Sequence, residues 1–215
     1  MKRKATEAIK TARSSDDLDA NFSPAQLQAI GWIAIAATRL ESQIDYILTK
    51  ALKLPWNTRY TVIQSLRGYE AKRDIAKKVL KADLQIPALY QKAIDLSLDA
   101  ASECKSYRDA VIHSYPMDAA TNVNLYQKKA GELYEVLVTP EALGILQVRM
   151  RIVKEELTCV AQIVLQSTPV AAQADATAER KARLLRAKLA QGWFEKLESH
   201  QKRRKSLKPL PPFPK

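Results

Sequence analysis

The sequence predicts a mostly helical fold, and three observations support this. The chain of 215 residues has only five glycines, alternating Val- and Ile-rich runs are few, and apolar residues recur at spacings of three and four along most of it. A chain of this length can bury one good core, or one core with an appendage. We therefore expect an all-α bundle of four or five helices with one short β-hairpin, followed by a basic helical tail.

The first predicted helix has a well-marked start. Ser23 is in the N-cap position, Pro24 is at the first helical position, and Gln26 completes a capping box. The apolar residues that follow predict a long amphipathic helix. They are Leu27, Ile30, Ala34, Ala37, Leu40, Ile44, Ile47 and Leu48. Pro55 closes the helix.

Two further helices are predicted before residue 116. The second covers 61–80, with Gly68 as a weak point in its middle and a basic outer face. The third runs from Ala88 to Ile112. It has to end there because Tyr115 precedes Pro116, and a residue before proline avoids the α conformation.

The segment after residue 116 predicts a β-hairpin and a last core helix. Two short alternating runs within 124–138 flank a turn at 128–131. Thr139 and Pro140 then begin a helix with an apolar stripe. This stripe consists of Leu146, Met150, Val153, Leu157, Val160 and Val164.

Composition divides the chain into four parts. We assign 1–22 to a basic, mobile N-terminal segment, 23–167 to the helical bundle and 168–178 to a linker. The remaining part, 179–215, is a basic helical and Pro-rich tail. Its helix carries a thin apolar stripe of Leu185, Leu189, Trp193 and Leu197.

Membrane and secretory signals are absent from the sequence. No apolar run reaches the roughly 18 residues of a membrane span, and the basic N-terminus lacks the apolar segment of a signal peptide. Cys104 and Cys159 stand far apart without a CxxC pair, so neither a disulfide framework nor a zinc site is expected. These observations predict a cytoplasmic protein.

Several chemistries are also excluded by missing motifs. The sequence has no glycine-rich phosphate loop, GxSxG, HExxH or EF-hand pattern. Its only histidines are His113 and His200, too few for a histidine-based metal cluster. We interpret the acidic run 16–19 as surface charge on the mobile N-terminal segment rather than as an ion site. We expect no metal and no cofactor.

The formal net charge of +12 is concentrated near the C-terminus. Residues 178–215 hold twelve Lys or Arg against three Glu, a net of +9, which leaves +3 for 1–177. Such a segment attracts polyanions, so nucleic acid is the first expected partner, ahead of an acidic protein or an anionic membrane; a merely solvated charge run is the alternative. The residues expected to bind nucleic acid are Arg67, Lys72, Arg73, Lys105, Lys202, Arg203, Arg204 and Lys205.

The third helix turns cationic on its core-facing side. With about 100° per residue, Lys105 and Arg108 fall on the same face as Ile94. A buried guanidinium needs a carboxylate, a subunit interface or an anionic ligand. A salt bridge of Arg108 inside the bundle, with Asp109 or Glu103, is the alternative to a functional site.

His113 lies about 140° from Arg108 on a continuous helix, so one straight helix would not bring the two together. The proline-enforced stop allows His113 to leave the helix. A histidine can move the proton of a 2′-hydroxyl, and an arginine can hold the phosphate as charge grows, which is what metal-free RNA cleavage requires.

The segment RDAVIHSY, residues 108–115, resembles the R-x4-H signature of HEPN domains, with Arg108 and His113 as the pair. Asp109 fits the polar residue that the family favours after the arginine, and Tyr115 fits the longer R-x4-H-x-Y form of HepT-type toxins. The resemblance covers roughly 23–167, whereas the tail and the β-hairpin depart from the smallest members of the family.

The resemblance implies a homodimer, paired through the third helix, in which two R-x4-H motifs form one cleft. Catalytic members of the family are metal-independent endoribonucleases, often toxins of defence systems. In HepT pairs a nucleotidyltransferase antitoxin adenylylates the tyrosine, which makes Tyr115 a candidate modification site. We expect RNA and a second copy of the chain as partners, with such an antitoxin or another defence protein as a further one.

Two other functions compete with this one. Many relatives of the family lack activity, so the bundle could serve as a non-catalytic module that binds RNA or assembles with proteins. The tail helix could instead drive DNA binding or scaffolding. Docking of Trp193 and Phe194 on the helical body would oppose this last function.

Overall fold

The computed structural model describes residues 22–53, 55–82, 86–118, 123–127, 133–167 and 176–210. This part of the chain is an all-α bundle with three short strands, as the sequence predicted for the fold class. The predicted hairpin turn and most of the N-terminal segment and linker fall outside it. The elements are α1 (Pro24–Ala51), α2 (Trp56–Ser65), α3 (Tyr69–Ala82), α4 (Ala88–Ile112), β1 (Tyr115–Asp118), β2 (Val123–Gln127), β3 (Leu133–Leu137), α5 (Pro140–Ser167) and α6 (Ala176–Lys205).

The predicted capping box starts α1. The backbone N–H of Gln26 donates to Ser23 Oγ at 3.3 Å, and the N–H of Ser23 donates to Gln26 Oε1 at 2.8 Å. These two bonds satisfy donors that the first turn of a helix leaves unpaired. A similar cap starts α5, where Ala142 N–H donates to Thr139 Oγ1 at 3.1 Å.

The predicted single helix over 61–80 is wrong, because the chain forms two helices there. Gly68 has a φ of +83°, a left-handed conformation that ends helices and that glycine adopts without steric cost. Leu66 caps α2 with an extended ψ of 95°. The glycine that weakened the helix pattern is therefore the point where the helix breaks.

The strands form an antiparallel sheet in the order β1-β2-β3. The predicted hairpin consists of β2 and β3, with Asn124 opposite Val136. The sequence did not predict β1, whose Tyr115 lies opposite Leu125. Pro116 lies in this edge strand, where the missing proline N–H is tolerated, and its exclusion of the α conformation at Tyr115 leads directly into the strand.

The described residues divide into two compact units, and the division falls within α1, α4 and α5. The first unit holds the described residues of Met1–Ala37, Glu103–Met150 and Leu207–Lys215. Within it, Gln26 donates from Nε2 to the carbonyl of Val138 at 3.0 Å. Its buried apolar residues include Ile33, Cys104, Ala110, Val111, Val136, Leu143, Leu146 and Met150.

The second unit holds the described residues of Thr38–Ser102 and Arg151–Ser206. It is entirely helical in the described part. Its fully buried apolar residues include Leu40, Ile44, Leu48, Leu80, Ile94, Leu98, Leu157, Val160 and Leu197.

The C-terminal half of α6 is packed inside this second unit. Phe194 is buried, and its ring stacks on Tyr90 with 4.1 Å between the ring centroids. Glu156 is fully buried and accepts hydrogen bonds from Ser97 Oγ at 2.8 Å and Arg204 Nε at 2.7 Å. Phe194 is thus docked on the rest of the second unit, which was the predicted alternative to a tail helix that binds DNA independently. None of the helices in the described part combines the length and apolarity needed to cross a membrane.

Candidate functional site

Arg108 lies in the last two turns of α4 and is partly exposed, whereas Ala110 and Val111 are the buried residues there. The side chain is 24% exposed, and Nη1 donates to Asp109 Oδ1 at 2.6 Å. Its Nε is buried and has no hydrogen-bond partner among the described residues. A buried N–H without an acceptor costs roughly 1–3 kcal/mol, so the fold leaves this guanidinium incompletely paired.

The carboxylate of Asp109 serves two cations. Besides Arg108, Lys105 Nζ lies 3.4 Å from Asp109 Oδ2. All three side chains are about one-quarter exposed. Two positive charges against one negative charge leave a net of +1 at the end of α4, which attracts a phosphate rather than repelling it.

Of the two carboxylates predicted as alternative partners of Arg108, only Asp109 pairs with it among the described residues. The salt bridge with Asp109 is present, whereas Glu103 lies 3.7 Å from Arg149 Nη1 on α5. Nε of Arg149 is also buried without a hydrogen-bond partner in the described part of the chain. The sequence reasoning missed Arg149, because no local spacing relates α5 to α4.

His113 is the first residue after α4 and its side chain is exposed. Its backbone N–H still donates to the carbonyl of Asp109 at 2.9 Å, so the helical turn is complete when the chain leaves the helix. No hydrogen bond or ion pair joins Arg108 and His113 within the described contacts of the chain. The structure of one copy therefore shows no direct polar contact between the two motif residues among its described residues.

The segment after His113 is anchored by two residues that the sequence reasoning missed. Ser114 Oγ donates to the carbonyl of Val111 at 3.0 Å and accepts from Asn124 Nδ2 at 2.8 Å. Asn124 is 2% exposed and belongs to β2. The backbone of Tyr115 is in β1, and its side chain lies outside the described part of the structure. The position of His113 thus depends on the sheet as well as on the helix.

The basic face expected on the second helix is only partly present. Arg67 is exposed, but Lys72 is 4% exposed and lies 2.9 Å from Asp45 and 3.3 Å from Glu41. Burial lowers the pKa of Lys72, but its polar contacts and the charges of Asp45 and Glu41 outweigh burial and raise the pKa above its ordinary value. The prediction placed Lys72 on an exposed RNA-binding face, and the structure corrects this, because the side chain is buried and paired with two carboxylates.

Arg73 is also engaged within the second unit. Its guanidinium pairs with Asp74 at 2.8 Å and donates from Nη1 to Ser102 Oγ at 2.9 Å. The side chain is 22% exposed. Arg73 therefore has local partners that an RNA phosphate would have to displace.

The basic end of α6 also divides into two kinds of residue. Lys202, Arg203 and Lys205 are exposed and form no ion pair within the described residues. Arg204 points inward, with a side chain 12% exposed and paired with the fully buried Glu156. Three of the four predicted cations are therefore exposed, and Arg204 has a partner within the fold.

No three His, Cys, Asp or Glu side chains of the described residues are close enough to hold a metal ion. The acidic run 16–19 falls outside those residues. The side chains grouped at the end of α4 are cationic, which suits an anion rather than a cation.

Comparison with protein-family models, with curated proteins and with solved structures finds no match for the chain.

Proposed function

We propose that the protein is a metal-independent endoribonuclease of HEPN type that acts as a homodimer. The observation that carries the proposal is the partly exposed and incompletely paired guanidinium of Arg108, in a cluster of net charge +1, five residues before the exposed His113. The R-x4-H-x-Y motif of residues 108–115 supplies the reaction class.

Arg108 binds the scissile phosphate in this proposal. Asp109 holds Nη1 at 2.6 Å and so fixes the plane of the guanidinium. The remaining N–H groups are donors in a rigid fork that matches two phosphate oxygens. As the 2′-oxygen attacks phosphorus, negative charge grows on those oxygens, and the fixed guanidinium stabilises it.

His113 moves the protons. One histidine accepts the proton of the 2′-hydroxyl as the O–P bond forms, and a protonated histidine donates to the departing 5′-oxygen. The products are a 2′,3′-cyclic phosphate and a free 5′-hydroxyl, so no water or metal enters this step. Each copy of the chain supplies one His113, and two copies supply both the acid and the base.

The test is cleavage of single-stranded RNA in excess EDTA. We expect His113→Ala and Arg108→Ala each to lower the cleavage rate by roughly 100-fold or more, the usual contribution of an acid–base group or a charge-stabilising donor. His200→Ala is the matched control, because it removes the other histidine of the chain. Equal rates in all four proteins, or strict dependence on a metal ion, would contradict the proposal.

The dimer has its own measurement. Sedimentation of the full chain at micromolar concentration should give the mass of two copies. A monomer that cleaves RNA with undiminished specific activity on dilution would exclude a site shared between two chains.

Modification of Tyr115 is a separate prediction. A nucleotidyltransferase partner that adds a nucleotide to the hydroxyl of Tyr115 should stop cleavage, and Tyr115→Phe should remove that inhibition.

A second candidate function is a non-catalytic RNA-binding or protein-assembly module. The exposed Lys202, Arg203 and Lys205 favour it, because they form no ion pair within the described residues. This function predicts salt-sensitive RNA binding that survives His113→Ala, with no new RNA ends.

A further inference from the structure

The N-terminal half of α6 exposes two leucines of the apolar stripe that the sequence predicted for this helix. Leu185 is 59% exposed and Leu189 is 44% exposed, whereas Leu197 of the same predicted stripe is fully buried. The stripe therefore packs at one end of the helix and is uncovered at the other. Leu184 adds a third exposed leucine at 64%.

Cations flank this uncovered part of the stripe. Residues 180–189 contain Arg180, Lys181, Arg183, Arg186 and Lys188 and no acidic residue. At about 100° per residue, Lys181 and Lys188 lie on one side of Leu185 and Arg186 lies on the other. Among the described residues, the one ion pair formed by these cations is that of Arg183 with Glu179, in which Arg183 remains 79% exposed.

The width of the stripe selects the kind of partner. Leu185 and Leu189 lie about 40° apart around the helix, and Gly192 lies between Leu185 and the two lysines. Leu184 lies about 100° from Leu185, on the far side of the lysines, and is not part of this seam. A narrow apolar seam between charged positions is the surface that a second helix covers in a coiled coil. A helix that lies on a bilayer presents a broad apolar face instead.

Charge selects among helical partners. A second copy of α6 would place five cations against five, which is repulsive when they are desolvated together. RNA would neutralise the cations but would leave the leucines uncovered, since bases stack on aromatic rings rather than on leucine. An acidic amphipathic helix satisfies both features.

We propose that the segment 180–192 of α6 is a docking site for an acidic amphipathic helix of a partner protein. Leu185 and Leu189 pack between apolar residues of that helix, and Lys181, Arg186 and Lys188 pair with its flanking carboxylates. Gly192 is exposed, and a Cβ built there meets nothing within 4 Å, so the partner backbone can approach the helix closely at that end. The site does not depend on RNA cleavage.

The experiment uses the full chain and a designed probe. The probe is a fluorescent helical peptide of about three heptads with Leu at a and d and Glu at e and g, and binding is followed by fluorescence anisotropy. We expect Leu185→Ser with Leu189→Ser to weaken binding at least tenfold. We expect Lys181→Glu with Lys188→Glu to abolish it and to create binding of the same peptide carrying Lys at e and g.

Arg203→Glu with Lys205→Glu is the matched control, because it reverses two exposed charges at the other end of α6. It should leave the binding of the acidic peptide unchanged. An equal loss in this control would show general charge attraction and would overturn the proposal. So would binding that the leucine substitutions do not weaken, stronger leucine-dependent binding to phosphatidylserine vesicles, or a leucine-dependent dimer in sedimentation.

Discussion

Two clusters of charge in this molecule share a predicted role and have opposite composition. In the second unit, Lys72 is one cation held between two carboxylates, Glu41 and Asp45. In the first unit, Lys105 and Arg108 are two cations that share one carboxylate, Asp109. The Lys72 cluster carries a net charge of −1, and the Asp109 cluster carries a net charge of +1. Lys72 and Lys105 were both expected to bind nucleic acid, but only the Asp109 cluster has the positive net charge that attracts a phosphate.

Exposure separates the clusters in the same direction. The side chain of Lys72 is 5% exposed, whereas Arg108 and Asp109 are 24% and 29% exposed. Removing a cation that is buried with an excess of carboxylate destabilises the fold, whereas a partly exposed cation with a deficit of carboxylate can still bind an anion. The number of partners decides the role, and that number is a property of the tertiary structure.

The largest expected effect is the loss of stability when Lys72 is replaced. Lys72→Met should lower the free energy of unfolding by roughly 2 kcal/mol or more, because Glu41 and Asp45 are left facing each other without their cation. Urea denaturation measures this. Lys78→Met is the matched control on α3, since Lys78 is exposed, and should stay within about 0.5 kcal/mol of the wild type. Equal stability of the two variants would remove the distinction between the clusters.

Alkaline pH provides the second test. Burial raises the pKa of the Cys159 thiol to about 11 from an ordinary value of 9.0. The folded chain then holds this proton between about pH 9 and 11 while the unfolded chain releases it, so stability should fall with rising pH by roughly 2 kcal/mol. Denaturation at pH 8, 9, 10 and 11 should show this fall in the wild type and a smaller one in Cys159→Ala.

Lys72 contributes to the same titration at its upper end. Because its pKa is raised, its stabilisation is present below about pH 10.5 and is lost as pH passes its folded pKa. The fall that remains in Cys159→Ala should therefore begin above pH 10 and should become smaller when Lys72→Met is added. Tyr90, whose pKa is raised by burial and by the charge of Glu195, accounts for the part that is left. A fall that begins below pH 9 in Cys159→Ala would contradict this assignment.

The smallest effect in this series is expected from Asp109→Asn. The substitution raises the net charge of the α4 cluster from +1 to +2 and should cost at most about 1 kcal/mol of stability. RNA affinity at low salt should rise, by roughly threefold, because a phosphate no longer competes with the carboxylate. Asp99→Asn, which removes the partner of Lys77 at 2.6 Å, is the control and should not change RNA binding.

An opposite result would be equally informative. If Asp109→Asn weakens RNA binding, the carboxylate acts by orienting Arg108 and not by limiting the charge of the cluster. The geometry of the ion pairs, and not their net charge, would then be what distinguishes the two clusters.

The ends of the helices were largely predictable from the sequence. Ser23 with Gln26 and the Tyr115–Pro116 pair are local signals, because capping and the restriction before proline act within a few residues. The predicted bounds Ala88 and Ile112 of the third helix are those of α4. The break at Gly68 was visible as a weakness, but its positive φ was not.

The outward or inward direction of individual charges was not predictable. Lys72, Arg203 and Arg204 belong to equally basic stretches, yet Lys72 and Arg204 point into the second unit and Arg203 points into solvent. Their carboxylate partners are 27 or more positions away for Lys72 and 48 for Arg204. No spacing rule within one helix reaches that far.

The sequence by itself determined the helical class, the caps and the position of the R-x4-H motif at the end of a helix, because these follow from the periodicity of apolar residues and from local backbone restrictions. The tertiary structure decided which cations are neutralised, that Asn124 anchors the segment after His113, and that the leucines of α6 are buried at one end and exposed at the other. These depend on contacts between residues distant in the chain, which burial and electrostatics select only when the helices pack.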